Sequence, residues 1–130
     1  MRLTVFTDYA LLVLVYLASH PGRFVTITEI ARAHGVSANH LMKVVQHLSA
    51  SGDVVTLRGP RGGLRLARPA GEIRIGSVVR QTEPDRPDTT CRQGRLAGVL
   101  DQATAAFLAV LDNCSVADLL DTTALTSESD

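Results

Sequence analysis

The chain has 130 residues, of which 45% are hydrophobic and 20% charged, and its formal net charge at pH 7 is zero. This length suits one compact domain with an appended element, and the composition is ordinary for a soluble globular protein. The first apolar stretch contains Asp8, lacks a small-residue cleavage site and is too short to span a bilayer, so we expect no signal peptide. We therefore expect a cytoplasmic protein with reduced cysteines.

The zero net charge conceals two halves of opposite sign. Residues 1–80 hold ten Lys/Arg and four Asp/Glu, a balance of +6, whereas residues 81–130 hold three and nine, a balance of −6. A basic lobe attracts phosphate. The division predicts that the first part of the chain binds nucleic acid and that the second part faces away from it.

The first predicted element is a helix over residues 7–20. Thr7 or Asp8 supplies a side-chain oxygen that caps free backbone N–H groups, and Pro21-Gly22 ends the helix. Leucine and valine leave this helix little polar face, so we expect it to be buried on several sides. Residues 24–26 could add a short strand.

Residues 26–52 predict two short helices joined by a tight turn. The first opens at Thr28 and stops at Gly35, and the second opens at Ser37, a favourable N-cap. Glycine tolerates the positive φ that such a turn requires. Apolar residues follow the i, i+3, i+4, i+7 spacing of one buried face in the second helix, at Leu41, Val44, Val45 and Leu48. The pattern is typical of a helix-turn-helix.

The outward positions of the second helix carry hydrogen-bonding and cationic side chains. These positions are Ser37, Asn39, His40, Lys43, Gln46 and His47. Such groups read base edges and phosphates in a major groove. An αα-hairpin with a solvated polar face explains the same pattern without DNA.

A β-hairpin with a basic tip follows at once. Residues 54–57 are a β-branched run, residues 58–63 are rich in Gly and include Pro, and residues 64–67 alternate apolar and polar side chains. Arginines at the tip favour contact with a phosphate strand or a narrow minor groove over an ordinary surface hairpin. The combination predicts a winged helix. The expected DNA contacts are Ser37, Asn39, His40, Lys43, Gln46, Arg58 and Arg61, with Arg2 and Thr4 on phosphate beside the first helix.

The rest of the chain predicts a short helix, a loop and a long helix. Residues 73–79 close the winged helix, and the loop contains two prolines. Residues 94–114 place apolar side chains at steps of three and four over almost three heptads. We expect this stripe to pair with its copy in a symmetric dimer, packing on its own domain being the alternative. The predicted interface residues are Leu96, Val99, Leu100, Ala103, Phe107 and Val110.

Together these elements predict a mainly α fold with a small β-wing and a long C-terminal dimerisation helix. The expected units are a winged helix-turn-helix domain at 1–80, a loop at 81–93, a dimerisation helix with a closing helix at 94–121, and a flexible tail at 122–130. The sequence holds no nucleophile–base pairing, phosphate-cradling glycine loop or metal triad, so we expect no enzyme. A DNA-binding repressor is the expected function, and a protein-interaction adaptor of the same fold is the alternative.

Five segments carry a resemblance to a known family: MRLTVFTDYALLVLVYLA, ITEIARAHGVSANHLMKVVQHL, LRGPRGGLRLA, IRIGSVVRQTEPD and GVLDQATAAFLAVLDNCSVADLL. The chain resembles the IscR/NsrR-type winged-helix regulators, bacterial repressors that sense iron–sulfur status or nitric oxide. It is most similar to the nitric-oxide-sensing branch. The resemblance implies a dimer joined by the long helix, and an iron–sulfur cluster held by three loop cysteines. A residue near the start of the partner's first helix completes that site, at the position of Asp8.

The chain departs from this family at the cluster. Its loop is short and contains Cys91 alone, which resembles the last of the three cysteines, and Cys114 matches no ligand. About 20 helical residues at ~1.5 Å each place the two thiols ~30 Å apart. Cys91 is then either part of an incomplete metal site with Asp8 or a free reactive thiol, and the cofactor is a cluster or none. We expect Cys114 to be a small apolar core or interface residue. The signal stays open between nitric oxide or iron–sulfur status, a thiol oxidant and no sensing.

Overall fold

The computed structural model describes residues 3–84 and 94–120. This part of the chain contains five helices of eight or more residues and a two-stranded antiparallel sheet. The elements are α1 (Val5–Ser19), α2 (Ile27–His34), α3 (Ala38–Ala50), β1 (Val54–Leu57), β2 (Gly63–Leu66), α4 (Ile75–Thr82) and α5 (Gly94–Asp112). A 3-10 turn (Ala70–Glu72) precedes α4, and residues 116–120 are helical. The predicted fold class is confirmed.

α1 is the central helix of the winged domain, and it packs against α3, α4 and β2. Thr4 caps it, because its Oγ1 accepts a hydrogen bond from the Thr7 backbone N–H at 3.2 Å. The predicted cap at Thr7 or Asp8 is therefore wrong. Thr7 is fully buried, and its hydroxyl lies 2.7 Å from the hydroxyl of Thr82 on α4. Asp8 lies exposed in the first turn.

α2 and α3 form the helix-turn-helix. α2 begins at Ile27, one residue before the predicted start at Thr28, and Thr26 caps it by accepting a hydrogen bond from the Glu29 backbone N–H at 3.1 Å. Gly35 adopts φ 64° at the turn, the left-handed conformation that the sequence predicts. Ser37 caps α3 in the same way as Thr26, at 3.2 Å. The two helices therefore meet at a turn fixed by one glycine and one hydroxyl.

The wing is the hairpin of β1 and β2, which pair along their full length. A Cβ at Gly62 in the connecting loop would lie 1.9 Å from the Leu57 carbonyl oxygen, so only glycine fits there. The third strand predicted at residues 24–26 is reduced to one bridge, in which Val25 pairs with Leu64. This bridge fastens the base of the wing to the segment before α2.

α4 begins two residues later than predicted because the preceding residues pair with a distant part of the chain. The Ile75 N–H donates to the Cys114 carbonyl oxygen at 2.8 Å, and the Val116 N–H donates to the Ile73 carbonyl oxygen at 2.9 Å. Residues 73 and 74 are consequently extended and not helical. Ser115 caps the closing turn, since its Oγ accepts from the Asp118 N–H at 3.3 Å.

The core is aliphatic and lies between α1, α3, α4 and the wing. Its largest fully buried side chains are Leu14, Ile30, Leu41, Leu48, Val13, Val25, Val44, Val78, Val79 and Val116. Each buried leucine or isoleucine contributes about 1.5–3 kcal/mol through the apolar surface removed from water. This core fixes α3 on one side and the wing on the other, which positions the candidate site.

Candidate nucleic-acid interface

α3 turns one polar face to solvent. Its apolar face is buried as predicted, at Leu41, Val44, Val45 and Leu48. The predicted contacts Ser37, Asn39, Lys43 and Gln46 are all exposed. Within the described residues Lys43 has no acidic partner, because the ion pairs there involve only arginines. The face therefore offers two amides, a hydroxyl and an uncompensated ammonium.

Met42 belongs to the same face and was not among the predicted contacts. Its side chain is 47% exposed, although it is one of the larger apolar residues of the helix. It lies outside the buried i, i+3, i+4, i+7 stripe, and that mismatch is the signal that points to a surface role. Apolar side chains in a major groove contact the thymine methyl group. Met42 therefore joins the candidate base contacts.

His40 and His47 pack against α1, and the prediction that both point outward is wrong. The His40 ring centroid lies 4.7 Å from that of Tyr9, and the His47 centroid lies 5.6 Å from that of Phe6. Both imidazoles are half-buried. Within the described residues, the buried Nε2 of His47 has no hydrogen-bond partner. The two histidines therefore seat the helix on α1.

The wing tip carries two exposed arginines, Arg58 and Arg61. In the described residues neither lies within salt-bridge distance of a carboxylate, in contrast to three other arginines of the same lobe. Those three pairs are Arg23–Glu29, Arg68–Asp53 and Arg80–Asp112. Arg58, Arg61 and Lys43 therefore carry positive charge that no carboxylate of the described residues neutralises, as phosphate binding requires.

Thr4 is occupied by an internal carboxylate. Its backbone N–H and its hydroxyl donate to Oε2 of Glu83 at 2.8 and 2.7 Å, and the Thr7 hydroxyl donates to the same oxygen. The carboxylate also lies at the positive end of the α1 dipole. These donors are not available to phosphate, so we remove Thr4 from the candidate contacts. Arg2 lies outside the described residues.

α5 presents an apolar face that the other described residues leave uncovered. Leu96, Val99 and Val110 are 52%, 59% and 70% exposed, and no residue of the helix is fully buried. Ala103 is exposed, and Leu100 and Phe107 are half-buried. Near its C-terminal end the helix packs on the core through Leu108 and Leu111, which are partly buried there.

By length and composition α5 also meets the requirements for a membrane span. Asp101 lies near its middle, where an insertion cost of about 2.5–3.5 kcal/mol opposes a bilayer location. Gln102 follows it, and both side chains are exposed. The composition therefore favours a protein partner for this helix.

Comparison with known proteins decides the family. Residues 3–122 match the family model Rrf2, described as iron-dependent transcriptional regulator. The chain belongs to the Rrf2 family. The resemblance to IscR/NsrR-type regulators is confirmed at this level, and the winged helix is that of a DNA-binding transcription regulator.

Three solved structures are similar to this Rrf2 chain. IscR of T. potens is 26% identical with a TM-score of 0.82, over 95% of this chain and 88% of that one. The oxidized form of Staphylococcus aureus CymR is 26% identical with a TM-score of 0.79, over 92% and 95% of the two chains. CymR (YrzC), the global cysteine regulator of B. subtilis, is 22% identical with a TM-score of 0.79, over 94% and 98%, and shows the fold alone.

The residues of this Rrf2 chain do not fit an iron–sulfur cluster. Such clusters are typically held by four ligands, mostly cysteine thiolates, and the chain has two cysteines. Cys114 is half-buried against the core, with Sγ 3.6 Å from the Ser115 carbonyl oxygen. Cys91 lies outside the described residues. Within residues 3–84 and 94–120 no three His, Cys, Asp or Glu side chains are grouped as metal ligands.

Proposed function

We propose that this Rrf2 protein is a homodimeric, cytoplasmic repressor of transcription that binds double-stranded DNA through α3 and the wing. The observation that carries the proposal is the exposed polar face of α3, with an ammonium that no carboxylate of the described residues neutralises. A protein-interaction adaptor of the same fold has no need for that face or for an arginine-tipped wing.

In this proposal α3 lies in the major groove and reads bases. Asn39 and Gln46 carry amides, which pair with the N6 and N7 edge of adenine, and Lys43 suits the O6 and N7 edge of guanine. Met42 contacts a thymine methyl group, and Ser37 binds at the N-terminal end of the helix. His40 contributes indirectly, because its contact with Tyr9 holds α3 against α1.

The wing supplies affinity that is independent of sequence. Arg58 and Arg61 bind the flanking phosphates or enter a narrow minor groove, where the potential is most negative. Arg2 adds a phosphate contact beside α1. Each such contact releases counterions, so binding weakens as salt rises.

The dimer forms through α5. Leu96, Val99 and Leu100, with Ala103, Phe107 and Val110, pair with the same residues of the partner around a two-fold axis. The axis presents two copies of α3 to half-sites about 34–36 Å apart, one turn of DNA. Residues 1–80 then act as the DNA-binding domain and residues 94–121 as the dimerisation unit. The predicted loop at 81–93 lies mostly, and the predicted tail at 122–130 entirely, outside the described residues.

The proposal assigns no iron–sulfur cluster to this chain. The thiols and carboxylates present do not make up a ligand set, although Rrf2 regulators are described as iron-dependent. Neither Asp8 nor Cys91 is therefore given a metal-binding role. As the signal, we therefore propose oxidation of the Cys91 thiol in place of nitric oxide or iron–sulfur status. Constitutive repression without a signal is the alternative.

The test is selection of bound sequences from a random duplex library at physiological salt. We expect enrichment of a palindrome with half-sites one turn apart. Arg61→Gln weakens binding to all duplexes and lowers the salt slope by about one, as for the loss of one phosphate contact. Arg95→Gln on α5 is the charge-matched control and leaves both unchanged. Equal effects of the two variants, or no binding at low salt, would refute the proposal.

A further inference from the structure

A cavity of about 390 Å³ lies between the C-terminal end of α1 and the base of the wing. Its volume is within the range of small-ligand pockets, about 300–1,000 Å³. Three arginines from separate segments line it: Arg23 before α2, Arg65 on β2 and Arg68 after β2. None of them is among the proposed DNA contacts, although Arg65 lies on β2 of the wing.

Arg23 is held rigidly at the cavity wall. Its two terminal nitrogens donate to the two carboxylate oxygens of Glu29, at 3.0 and 2.6 Å. The Tyr16 hydroxyl donates to Glu29 at 2.7 Å. Hydrogen bonds lower the Glu29 pKa to about 2, and those from Arg23 have a larger effect than the one from Tyr16. Glu29 is therefore ionised at neutral pH. This pair is electrically balanced.

Arg68 is paired more loosely. One of its nitrogens lies 3.5 Å from Oδ1 of Asp53 and 3.3 Å from the Gly52 carbonyl oxygen. Its other donors have no partner within the described residues. Arg68 therefore neutralises Asp53 and still has N–H groups for a ligand, since a guanidinium has five.

Arg65 supplies the uncompensated charge. Its guanidinium carbon lies 5.2 Å from the centroid of the Phe24 ring, a cation–π contact that orients the group without occupying its hydrogen-bond donors. No carboxylate of the described residues pairs with it. Three guanidinium groups and two carboxylates leave the cavity with one net positive charge.

The remaining wall is largely apolar, with Leu17, Ala18, Leu66, Ala67 and Pro69 among its residues. We propose that this cavity binds a small organic monoanion, a carboxylate carried on a compact apolar body. The carboxylate pairs with Arg65, the planar fork of which matches its two oxygens. Arg68 donates a second set of hydrogen bonds, and the apolar body displaces water from the leucine side chains.

DNA is a less suitable occupant of the cavity. Leu17 lies 11 residues beyond Phe6 on α1, about 16 Å along the helix at 1.5 Å per residue. Phe6 marks the end of α1 that contacts α3. The cavity therefore lies at the end of α1 opposite to the Phe6 contact with α3, and a bound anion there does not occupy the polar face of α3.

The experiment is titration of the full ¹⁵N-labelled chain with benzoate, followed by amide chemical shifts. We expect saturable shifts confined to residues 17–23 and 65–70. Benzamide lacks the charge and inorganic phosphate lacks the apolar body. We therefore expect the affinity of each to be at least about tenfold lower than that of benzoate, as for one lost charge-assisted contact. Shifts that do not saturate, or benzamide binding as tightly as benzoate, would overturn the proposal without any variant.

Two variants then assign the site. Arg65→Gln weakens benzoate binding about tenfold. Arg74→Gln, an exposed arginine outside the cavity, leaves it unchanged. Equal affinities for the two variants would contradict the role of Arg65. Displacement of benzoate by a double-stranded oligonucleotide would assign the arginines to DNA and would also overturn the proposal. The result does not depend on whether the chain represses transcription.

Discussion

Arg80 on α4 and Asp112 at the end of α5 form a two-point ion pair, with Nη2 of the arginine 2.8 Å from Oδ2 of the carboxylate. The second nitrogen donates to Oδ1. Hydrogen bonds from Arg80 are the main reason that the Asp112 pKa is lowered. The pair joins the winged domain to the long helix.

The first prediction concerns the pH dependence of this pair. Because folding lowers the Asp112 pKa, its stabilisation is complete above the unfolded value of about 3.9 and is lost as pH falls through the folded value. Asp112→Asn should therefore lower the thermal midpoint at pH 7, with a difference from wild type that shrinks below about pH 4. Calorimetry at several pH values measures this. A difference that grows in acid would contradict it.

The second prediction concerns the buried nitrogen of His47. An unpaired buried polar atom costs about 1–3 kcal/mol. His47→Leu should therefore raise the free energy of unfolding in urea by about 1 kcal/mol. His34→Leu, at an exposed histidine, is the control and should change it little. A destabilised His47→Leu variant would show that the imidazole makes a contact worth more than its desolvation.

The third prediction concerns the wing loop. Gly62→Ala places a Cβ against the Leu57 carbonyl oxygen, so the hairpin must open. We expect a loss of more than about 1 kcal/mol in stability, with weaker DNA binding. Gly71→Ala is the matched control, since nothing lies within 4 Å of its Cβ position and its φ is not positive. Hydrogen exchange of the β1 and β2 amides separates the two variants, and equal protection in both would refute the prediction.

The fourth prediction concerns the oligomeric state. Val99→Asp puts a charge on the uncovered face of α5 and should convert a dimer to a monomer in sedimentation experiments. Val5→Asp alters a valine of similar exposure, 54%, on α1 and should leave the dimer intact. Wild type that sediments as a monomer, or a dimer that survives the Val99 change, would rule out this interface.

The fifth prediction concerns iron. Because two cysteines separated by α5 do not provide a cluster's ligands, protein purified without oxygen should be colourless, hold no stoichiometric iron and still bind DNA. Visible absorption and an iron assay test this. The prediction would be wrong if the protein showed the visible absorption band of an iron–sulfur cluster and the Cys91→Ala variant lost it. That result would show that ligands from other molecules complete the site.

Local signals predicted much of the fold. Gly35 and Ser37 fix the helix-turn-helix, because a left-handed turn and an N-cap each depend on one residue and its immediate neighbours. The wing was predicted in the same way, from the Gly and Pro residues of its turn. Helix starts are harder to place from sequence where several hydroxyls lie close together. Thr4 caps α1 in place of Thr7 or Asp8, and α2 begins one residue before the predicted start.

The errors arise where contacts join distant parts of the chain. His40 and His47 border the buried stripe of α3, and only the position of Phe6 and Tyr9 on α1 decides that they turn inward. The late start of α4 likewise depends on pairing with residues 114–116. Periodicity within one helix does not contain that information. The predicted DNA contacts and dimer residues remain predictions.

Gly76 lets α5 lie against α4, since a Cβ there would come within 1.9 Å of Oδ1 and 3.0 Å of the backbone nitrogen of Asp112. In the proposed two-fold dimer, the contact between α4 and α5 sets the angle between each DNA-binding domain and the paired α5 helices. A small tilt at this contact is amplified along the length of α5. In the dimer proposed above, we therefore expect Gly76, which is not among the proposed DNA contacts, to influence the spacing of the operator half-sites.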